Sequence, residues 1–287
     1  MFKEDNTSKR VKRPDWLKVK APGGKKYVEI KAMMKNKSLH TVCEEAHCPN
    51  IGECWGLGTA TFMILGDVCA RNCRFCAVNS GKPLTLDPNE PKHVAESIHK
   101  MQLKHAVITS VTRDDLSDGG SKIWDETIKE VTHLNPETTI EVLIPDFNGK
   151  TDDIQRVIKA KPDILNHNIE TVPRLYKTVR PKANYQRSLD LLLYCFEYGL
   201  KTKSGIMVGL GETNDEVFEV LEDLLVHKVK IVTIGQYLQP TKQHLPIKRF
   251  VKPVEFMEFK KKGKEMGFEV VEAAPLVRSS YHAGNYV

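Results

Sequence analysis

Six of the seven cysteines lie between residues 43 and 76, where they form two groups of three. The first group has the spacing Cys43-x4-Cys48-x5-Cys54, and the second has the spacing Cys69-x3-Cys73-x2-Cys76. Thiolates this close along a chain are ligands for soft metal ions and for iron–sulfur clusters. An odd number of cysteines, in a chain whose first 13 residues are too polar for a secretory signal, argues against a disulfide framework. We therefore expect metal chemistry to be central to the function.

Three interpretations of these cysteines compete. A structural zinc site needs four ligands, usually as two closely spaced pairs, and only Cys73-x2-Cys76 has that spacing, so His47 would have to contribute. Inert buried cysteines would not be spaced so densely. Iron–sulfur clusters tolerate longer and irregular spacings. Three thiolates on a four-iron cluster leave one iron for an external ligand or an unusual protein ligand, so the triplet spacing favours iron–sulfur ligation.

Short apolar strands alternate with longer helices after the first cysteine group. Predicted strands cover residues 61–65, 105–110, 139–144, 163–168, 202–208, 230–236 and 268–272, and predicted helices cover 91–103, 121–134, 151–160, 184–198, 214–227 and 253–266. This alternation indicates βαβ units and a parallel sheet. No Gly-x-Gly-x-x-Gly follows the first strand, so the fingerprint of a dinucleotide-binding sheet is missing. Polar residues at strand ends, such as Ser110, Asn168 and Gln236, favour a barrel with its active site at that edge.

The fold class that we predict is α/β: a partial (β/α)6 TIM-like barrel. A cysteine-rich extension precedes the barrel, and a C-terminal segment closes over the barrel mouth. The composition supports a globular protein, with 40% hydrophobic and 28% charged residues. No apolar run approaches the ~20 residues that a membrane-spanning helix needs, so we expect a cytoplasmic protein without membrane contact.

Positive charge is concentrated in the first 37 residues, which carry 12 Lys or Arg and four Asp or Glu. The formal net charge of the whole chain is +6, so the remaining 250 residues are slightly acidic. A basic leader of this kind either contacts an acidic partner or is simply a solvated extension.

The Cys73-Arg74-Phe75-Cys76 stretch, preceded by Cys69, resembles the signature of the radical S-adenosylmethionine superfamily. With the upstream Cys43-x4-Cys48-x5-Cys54 group, the chain resembles the lipoyl synthase family. Six further stretches carry this resemblance: 109–116 (TSVTRDDL), 118–120 (DGG), 167–173 (HNIETVP), 209–212 (GLGE), 235–238 (GQYL) and 278–281 (RSSY). The resemblance covers nearly the whole body of the chain, and we expect the leader to lie outside it.

The resemblance implies two 4Fe–4S clusters and a division of the chain into four segments. Cys69, Cys73 and Cys76 would hold the radical-generating cluster, and Cys43, Cys48, Cys54 and a serine would hold an auxiliary cluster. The serine would be Ser280, with Ser279 as the alternative. The four segments are a basic extension (1–40), an auxiliary-cluster segment (41–60), the radical S-adenosylmethionine barrel (61–267) and a C-terminal segment with the ligating serine (268–287).

The implied reaction inserts two sulfur atoms, taken from the auxiliary cluster, at C6 and C8 of a protein-bound octanoyl-lysine. Two S-adenosylmethionine molecules would be consumed. Residues that would contact this cofactor are Phe75, Gly119, Gly120, Asn168, Glu170 and Gly209. Ser121 stands where the superfamily has a glutamate after its glycine pair, so the contact there would be made by main chain.

The resemblance also implies protein partners. The substrates would be octanoylated lipoyl carrier domains, namely the E2 subunits of 2-oxoacid dehydrogenases and the glycine cleavage H protein. An electron donor such as flavodoxin or ferredoxin and a carrier that repairs the auxiliary cluster would be required, and no nucleic acid partner is expected. Two alternatives remain at this point: another sulfur-inserting radical enzyme of the biotin synthase or methylthio-transferring kind, and a zinc-stabilised protein that binds nucleic acid.

Overall fold

The structure is a computed structural model that describes residues 13–19, 21–37, 39–56, 59–281 and 283–286. Part of the basic leader, namely residues 1–12, Lys20 and Ser38, therefore lies outside the described residues. Within the described part of the chain, no helix has the length and apolar character needed to cross a membrane.

Ten strands and ten α-helices make up the described fold. The strands are β1 (His40–Thr41), β2 (Thr61–Ile64), β3 (Val68–Cys69), β4 (Asn79–Ser80), β5 (His105–Ser110), β6 (Thr139–Leu143), β7 (Ile164–Asn166), β8 (Lys201–Val208), β9 (Ile231–Gln236) and β10 (Val270–Ala274). The helices are α1 (Lys25–Asn36), α2 (Val42–Glu45), α3 (Ile51–Gly56), α4 (Glu90–Met101), α5 (Ser121–Leu134), α6 (Thr151–Lys159), α7 (Tyr176–Val179), α8 (Tyr185–Glu197), α9 (Asn214–Val226) and α10 (Pro253–Met266).

Eight strands form one sheet in the order β1-β2-β5-β6-β7-β8-β9-β10. All neighbours run parallel except β1, which pairs antiparallel with β2 at one edge. At least one helix follows each strand from β2 to β9 in this order, which gives six βα units before β10. The predicted partial (β/α)6 barrel is confirmed, and within the described residues no ladder joins β10 to β1.

The central strands of the sheet are buried on both faces, as the near-continuous apolar runs in the sequence predict, whereas only Val271 is buried in β10. All six residues of β9 are buried, and helix α5 covers the sheet with Trp124, Ile128 and Val131, which are almost fully excluded from solvent. Each large aliphatic side chain buried in this way contributes roughly 1.5–3 kcal/mol. This packing makes the strand ends a rigid frame for the loops that follow them.

Local signals fix the ends of several helices. The capping box predicted at Thr213 and Glu216 is present at the start of α9. Helix α10 ends at Gly267, whose φ of +113° is in the left-handed region, and the Phe268 N–H donates to the Gly263 carbonyl to close the last turn. Because Gly267 and Phe268 complete that turn, β10 begins at Val270, two residues later than the sequence predicted.

Two segments outside the βα units pack against the open side of the barrel. Helix α1 lies on α3, where the rings of Tyr27 and Trp55 have centroids 5.1 Å apart. Residues 275–281, here called the strap, follow β10, and Asn50 Nδ2 donates to the Leu276 carbonyl at 2.7 Å. The predicted four-segment division stays a prediction; its boundary at residue 267 falls before β10, the last strand of the sheet.

Candidate functional site

A cavity of about 530 Å³ lies at the carboxyl ends of the parallel strands. We call it the carboxyl-side cavity. Its lining includes residues at the ends of β5, β6, β7 and β9, such as Ser110, Ile144, Asn168 and Gln236. Five of the six clustered cysteines line it as well: Cys43, Cys48, Cys69, Cys73 and Cys76. The two cysteine groups, separate in sequence, therefore face one space at the edge where the sequence predicts the active site.

The second cysteine group lies on a loop that hydrogen bonds hold against the sheet. Cys69 ends β3, and its sulfur accepts the Arg71 N–H at 3.4 Å and the Thr112 N–H at 3.3 Å. Farther along the loop, the Arg74 N–H donates to the Val179 carbonyl, and the Arg74 carbonyl accepts the Leu245 N–H. The loop is thus tied to the segments after β5, β7 and β9, which surround the cavity.

Arg71, within the second cysteine group, anchors this loop through buried ionic contacts. Its guanidinium donates to Asp114 Oδ2 at 2.7 Å and Oδ1 at 2.9 Å, and to Asp146 Oδ1 at 2.6 Å. Arg187 approaches the second oxygen of Asp146 at 2.7 Å. Burial alone would raise the pKa of Asp146, but the hydrogen bond and charge of Arg71 and the charge of Arg187 hold it well below its usual range.

The first cysteine group lies on two short helices that the sequence did not predict. The Thr41 side chain caps α2, which carries Cys43, by accepting the Glu44 N–H at 3.3 Å. The Cys48 N–H then donates to the Cys43 carbonyl, and Cys54 lies on α3. This compact fold gathers the three thiols although they span twelve residues of sequence.

Burial disfavours the charged form of most of these thiols. It raises the pKa of Cys43 to about 11, and raises the pKa of Cys54 and of Cys76 to about 12. The pKa values of Cys48 and Cys73 are also raised by burial, against the lowering effect of the positive charges of Arg278 and Arg180, respectively. A bound cation would replace the protons and restore the thiolates. These thiols lose their protons with difficulty unless a cation is bound, and they line a cavity. Both properties fit the binding of an iron–sulfur cluster.

A second cavity, of about 720 Å³, is lined by all three cysteines of the first group. Ser280, Arg278 and Tyr281 of the strap also line it. Ser279 lines only the carboxyl-side cavity, where its hydroxyl accepts a hydrogen bond from Asn168 Nδ2 at 2.8 Å. Of the two serines, Ser280 is therefore the one that shares a cavity with Cys43, Cys48 and Cys54.

The described residues offer two triplets for clusters but no site for a single ion. No three His, Cys, Asp or Glu side chains in the described ranges converge closely enough to hold one metal ion. A four-iron cluster is larger than one ion and spreads its protein ligands farther apart. The donor set of three thiols and one hydroxyl suits a cluster in which the oxygen is the harder, less tightly held ligand.

The predicted cofactor-binding residues fall into two sets. Phe75, Asn168 and Glu170 line the carboxyl-side cavity, and Gly119, Gly120 and Gly209 are not among its lining residues. Each of these three glycines has a positive φ and packs against a neighbouring side chain, where a Cβ would clash. The three glycines lie in the loops after β5 and β8, so their predicted contact with a cofactor stays a prediction.

Three residues that line this cavity have buried polar atoms without a hydrogen-bond partner among the described residues. The atoms are Asn168 Oδ1, Ser110 Oγ and Arg180 Nε. The same Arg180 donates through Nη1 to the carbonyls of Asn168 and Ile169, and Glu170 adopts a φ of +70° beside it. Unsatisfied buried groups cost about 1–3 kcal/mol each, so their presence fits a polar ligand such as an amino acid cofactor.

Sequence reasoning missed two parts of this site. Arg180 directly follows α7 (Tyr176–Val179), in a region without an obvious periodic pattern. The other part is a fully buried ion pair inside the barrel, in which Lys203 Nζ contacts both oxygens of Glu141 at 2.8 and 2.9 Å and Asn166 donates to the same carboxylate. Lys203 and Glu141 are 62 residues apart. The parallel register of β6, β7 and β8 brings them together. In the sequence, one charged residue within each of two apolar strands could have indicated a buried ion pair.

Family models match two parts of the chain. The model of the radical SAM superfamily matches residues 63–224. The model of the N-terminal domain of lipoyl synthase matches residues 2–48. The expectation that the leader lies outside the resemblance is therefore wrong, because this second match begins within it.

Curated relatives match almost end to end. A lipoyl synthase from Bacteroides fragilis is 55% identical over 279 residues, which are 97% of this chain and 97% of the relative. A lipoyl synthase from Rubrobacter xylanophilus is 58% identical over 273 residues, 94% of this chain and 85% of the relative.

Solved structures share the fold at low identity. Streptococcus suis SuiB bound to S-adenosylmethionine superposes with a TM-score of 0.60 at 11% identity and covers 79% of this chain, which spans about half (54%) of SuiB. Methylornithine synthase superposes with a TM-score of 0.52 at 13% identity, over 86% of this chain and 81% of that one.

Proposed function

Because the chain belongs to the lipoyl synthase family of the radical S-adenosylmethionine superfamily, we propose that it converts octanoyl-lysine on a carrier protein into lipoyl-lysine. It is a sulfurtransferase of the radical type, and its cofactors are S-adenosylmethionine and two 4Fe–4S clusters. When bound, these groups supply the abstraction of hydrogen atoms from C6 and C8, and the auxiliary cluster supplies two sulfur atoms. A family match over nearly the whole chain excludes the two alternatives, a different sulfur-inserting enzyme and a zinc protein.

The residues of the chain bind and orient the substrate, and they exclude water from it. A saturated C–H bond has no acidic proton, so side-chain acid–base catalysis does not open it. The protein must instead hold the target carbon beside the reacting groups in a dry cavity. The apolar side chains of Met63, Leu143 and Ile206 in the lining of the carboxyl-side cavity suit an alkyl chain.

We assign Cys69, Cys73 and Cys76 to the radical-generating cluster, and Cys43, Cys48, Cys54 and Ser280 to the auxiliary cluster. Ser280 is preferred to Ser279 because the Ser279 hydroxyl already accepts from Asn168. Asn168 and Glu170 would bind the hydroxyl and amino groups of the cofactor, and Phe75 would approach its adenine through main chain. Gly119, Gly120 and Gly209 would permit close approach of backbone. The four-segment division is proposed on the same grounds.

One observation carries the proposal: Cys43 and Cys48 of the first cysteine group line the same cavity as all three cysteines of the second group, at the carboxyl ends of the strands. The test uses anaerobically reconstituted protein with S-adenosylmethionine, a reductant and an octanoyl-lysine peptide. We expect a dithiolane on the peptide and no conversion of dethiobiotin or tRNA. If the peptide remains unmodified while another substrate gains sulfur, the proposal is wrong.

The natural substrate is octanoyl-lysine on a protein, and we propose the E2 subunits of 2-oxoacid dehydrogenases and the glycine cleavage H protein as its carriers. Flavodoxin or ferredoxin would supply electrons, and a cluster carrier would repair the auxiliary site. We propose a cytoplasmic location, with no nucleic acid or membrane partner.

The basic leader would steer an acidic carrier towards the cavity. Deletion of residues 1–20 should then weaken carrier binding mainly at low ionic strength, because salt screens such attraction. Measurement of carrier binding at 20 and 300 mM salt tests this, because the Debye length falls from about 20 Å to about 6 Å between the two. Equal affinities of the two forms at every salt concentration would remove the leader from the proposal.

A further inference from the structure

The carboxyl-side cavity and the second cavity meet at the proposed auxiliary-cluster ligands. Both are lined by Cys43, Cys48, Thr61, Val107, Arg278 and Ser280. Cys54 lines only the second cavity, and the three cysteines of the other group line only the carboxyl-side cavity. The first cysteine group and Ser280 therefore form the boundary between two spaces, whereas the second group faces one.

The second cavity lies at the opposite edge of the sheet. Its lining includes Lys104 and His105 at the start of β5 and Thr139 at the start of β6. We therefore call it the amino-side cavity. Several of its lining residues are exposed, among them Glu53, Gln102 and Lys104, so the cavity reaches solvent. No residue of the cofactor set, neither Asn168 nor Glu170, belongs to its lining.

We infer that the amino-side cavity is the route by which iron and sulfide reach the auxiliary site when its cluster is rebuilt. This inference rests on the proposed function, in which that cluster gives up sulfur in each turnover. The carboxyl-side cavity is the proposed site of the cofactor and the acyl chain. A separate opening at the other edge lets the auxiliary ligands be resupplied without emptying the substrate site.

The lining of the amino-side cavity is suited to a transient path. It contains the hydroxyl groups of Thr59, Thr139 and Tyr281 and the carboxylate of Glu53, which accepts a hydrogen bond from the Tyr281 hydroxyl at 3.1 Å. The basic residues Lys104 and Arg278 line it as well. Oxygen groups bind ferrous iron less tightly than thiolates do. The cysteines stand at the inner end of this path. Iron that passes the oxygen-lined rim would thus move to the softer and stronger ligands.

The test narrows the rim of the amino-side cavity by placing a larger side chain at a residue with no proposed catalytic role. Lys104 is exposed and lines the amino-side cavity, and Lys100, near the end of α4, is exposed and does not line it. Lys104→Trp and Lys100→Trp form a matched pair. Each fully reconstituted protein completes one turnover anaerobically and then receives either ferrous ions with sulfide or a preassembled cluster on a small iron–sulfur carrier. Iron content and the spectroscopic signal of each cluster follow the rebuilding.

Lys104→Trp should rebuild the auxiliary cluster about tenfold more slowly than Lys100→Trp, which corresponds to about 1.4 kcal/mol of added barrier. Loading of the radical-generating cluster, tested on protein stripped of both clusters, should be equal in the two variants and shows that the fold is intact. Slowing with ferrous ions and sulfide supports the route, whereas slowing with the carrier alone overturns it, because the inference concerns the passage of iron and sulfide. Equal rates with both sources overturn the inference.

A second arm uses the wild-type protein. Saturating S-adenosylmethionine and octanoyl-lysine peptide occupy the carboxyl-side cavity and should leave the rebuilding rate unchanged. Rebuilding that these ligands block would overturn the inference. Failure of the wild-type protein to form any dithiolane in its first turnover would instead contradict the proposed function, so the two failures are distinguishable.

Discussion

At the scale of single residues, Ser279 and Ser280 show how neighbours in sequence acquire different surroundings. The Ser279 hydroxyl accepts a hydrogen bond from Asn168, and Ser280 lines the amino-side cavity together with Cys43, Cys48 and Cys54. Ser280→Ala should lose the auxiliary cluster or hold it loosely, so that sulfur insertion falls about a hundredfold or more, because removal of a residue that merely supports a metal ligand already costs about 10–100-fold. Iron content and dithiolane yield measure this.

The control is Ser279→Ala, which removes the hydrogen bond to Asn168 but should keep the iron content. Cleavage of S-adenosylmethionine should persist in Ser280→Ala, because the radical-generating cluster is untouched. A Ser280→Ala protein with full iron content and normal thiolation, beside a Ser279→Ala protein that lacks both, would reverse the assignment.

His167 makes stability depend on pH. Its ring is buried, with Nδ1 2.8 Å from the Ile144 carbonyl and Nε2 2.9 Å from the Ser188 hydroxyl, and burial lowers its pKa to about 4. Between pH 6.5 and pH 4 the unfolded state binds a proton that the native state does not. The free energy of unfolding should therefore decrease by about 3 kcal/mol as the pH falls through this window.

Urea denaturation of the cluster-free protein at several pH values checks this. His167→Gln should flatten the dependence, and the exposed His133→Gln should leave it unchanged. A wild-type protein whose stability is constant from pH 6.5 to pH 4 would show that His167 protonates freely in the native state.

At the level of residues, the sequence points to the cysteines because each triplet is local in the chain, and their assignment to clusters stays a prediction. Ser280 lies more than 200 residues from Cys54, so only resemblance pointed to it. Arg180 and the Lys203–Glu141 pair were not predicted as parts of the site, since their contacts arise from strand pairing and loop packing rather than from spacing.

At the scale of elements, the strap must pass very close to β9. A Cβ on Gly235 would lie 2.1 Å from the Val277 carbonyl oxygen, a distance that no side chain tolerates. Gly235→Ala should therefore displace the strap, destabilise the protein by about 1–3 kcal/mol and weaken retention of the auxiliary cluster. Thermal unfolding and iron content report the two effects.

The matched control is Gly23→Ala, because nothing lies within 4 Å of a Cβ at that position. It should change neither quantity. Normal stability and full iron content in Gly235→Ala would mean that the strap does not rest on β9 as described.

The loop of the second cysteine group depends on the Arg71–Asp146 contact. Asp146→Ala leaves Arg71 and Arg187 without one buried carboxylate, and breaking such a pair should cost about 3 kcal/mol. Chemical denaturation measures the loss. Glu126→Ala, which breaks the exposed pair with Lys122 at 3.8 Å, should change stability by less than about 0.5 kcal/mol. Equal, small effects of the two substitutions would contradict an anchoring role for Arg71.

The regular elements were predictable where periodicity was strong. Helix α10 has the predicted bounds, 253–266, and α9 begins at its predicted capping box. The short helices α2 and α3 were missed, because four to six residues show no period and their packing depends on neighbouring segments. The same holds for β1, a two-residue strand that exists only through its ladder with β2.

At the scale of the whole molecule, the parallel sheet separates two tasks by its two edges. Its carboxyl edge gathers the second cysteine group, Asn168 and Glu170 around one cavity, and its amino edge opens the second cavity. The first cysteine group and Ser280 stand between them.

The most direct test of the account is the iron content of anaerobically reconstituted protein in three forms. The wild-type chain should hold about eight irons, as two four-iron clusters require. Substitution of Cys43, Cys48 and Cys54 by Ala should leave about four irons, with cleavage of S-adenosylmethionine but no dithiolane. Substitution of Cys69, Cys73 and Cys76 should also leave about four, with neither activity. A wild-type chain with only about four irons, or thiolation by the protein that lacks Cys43, Cys48 and Cys54, would contradict the account.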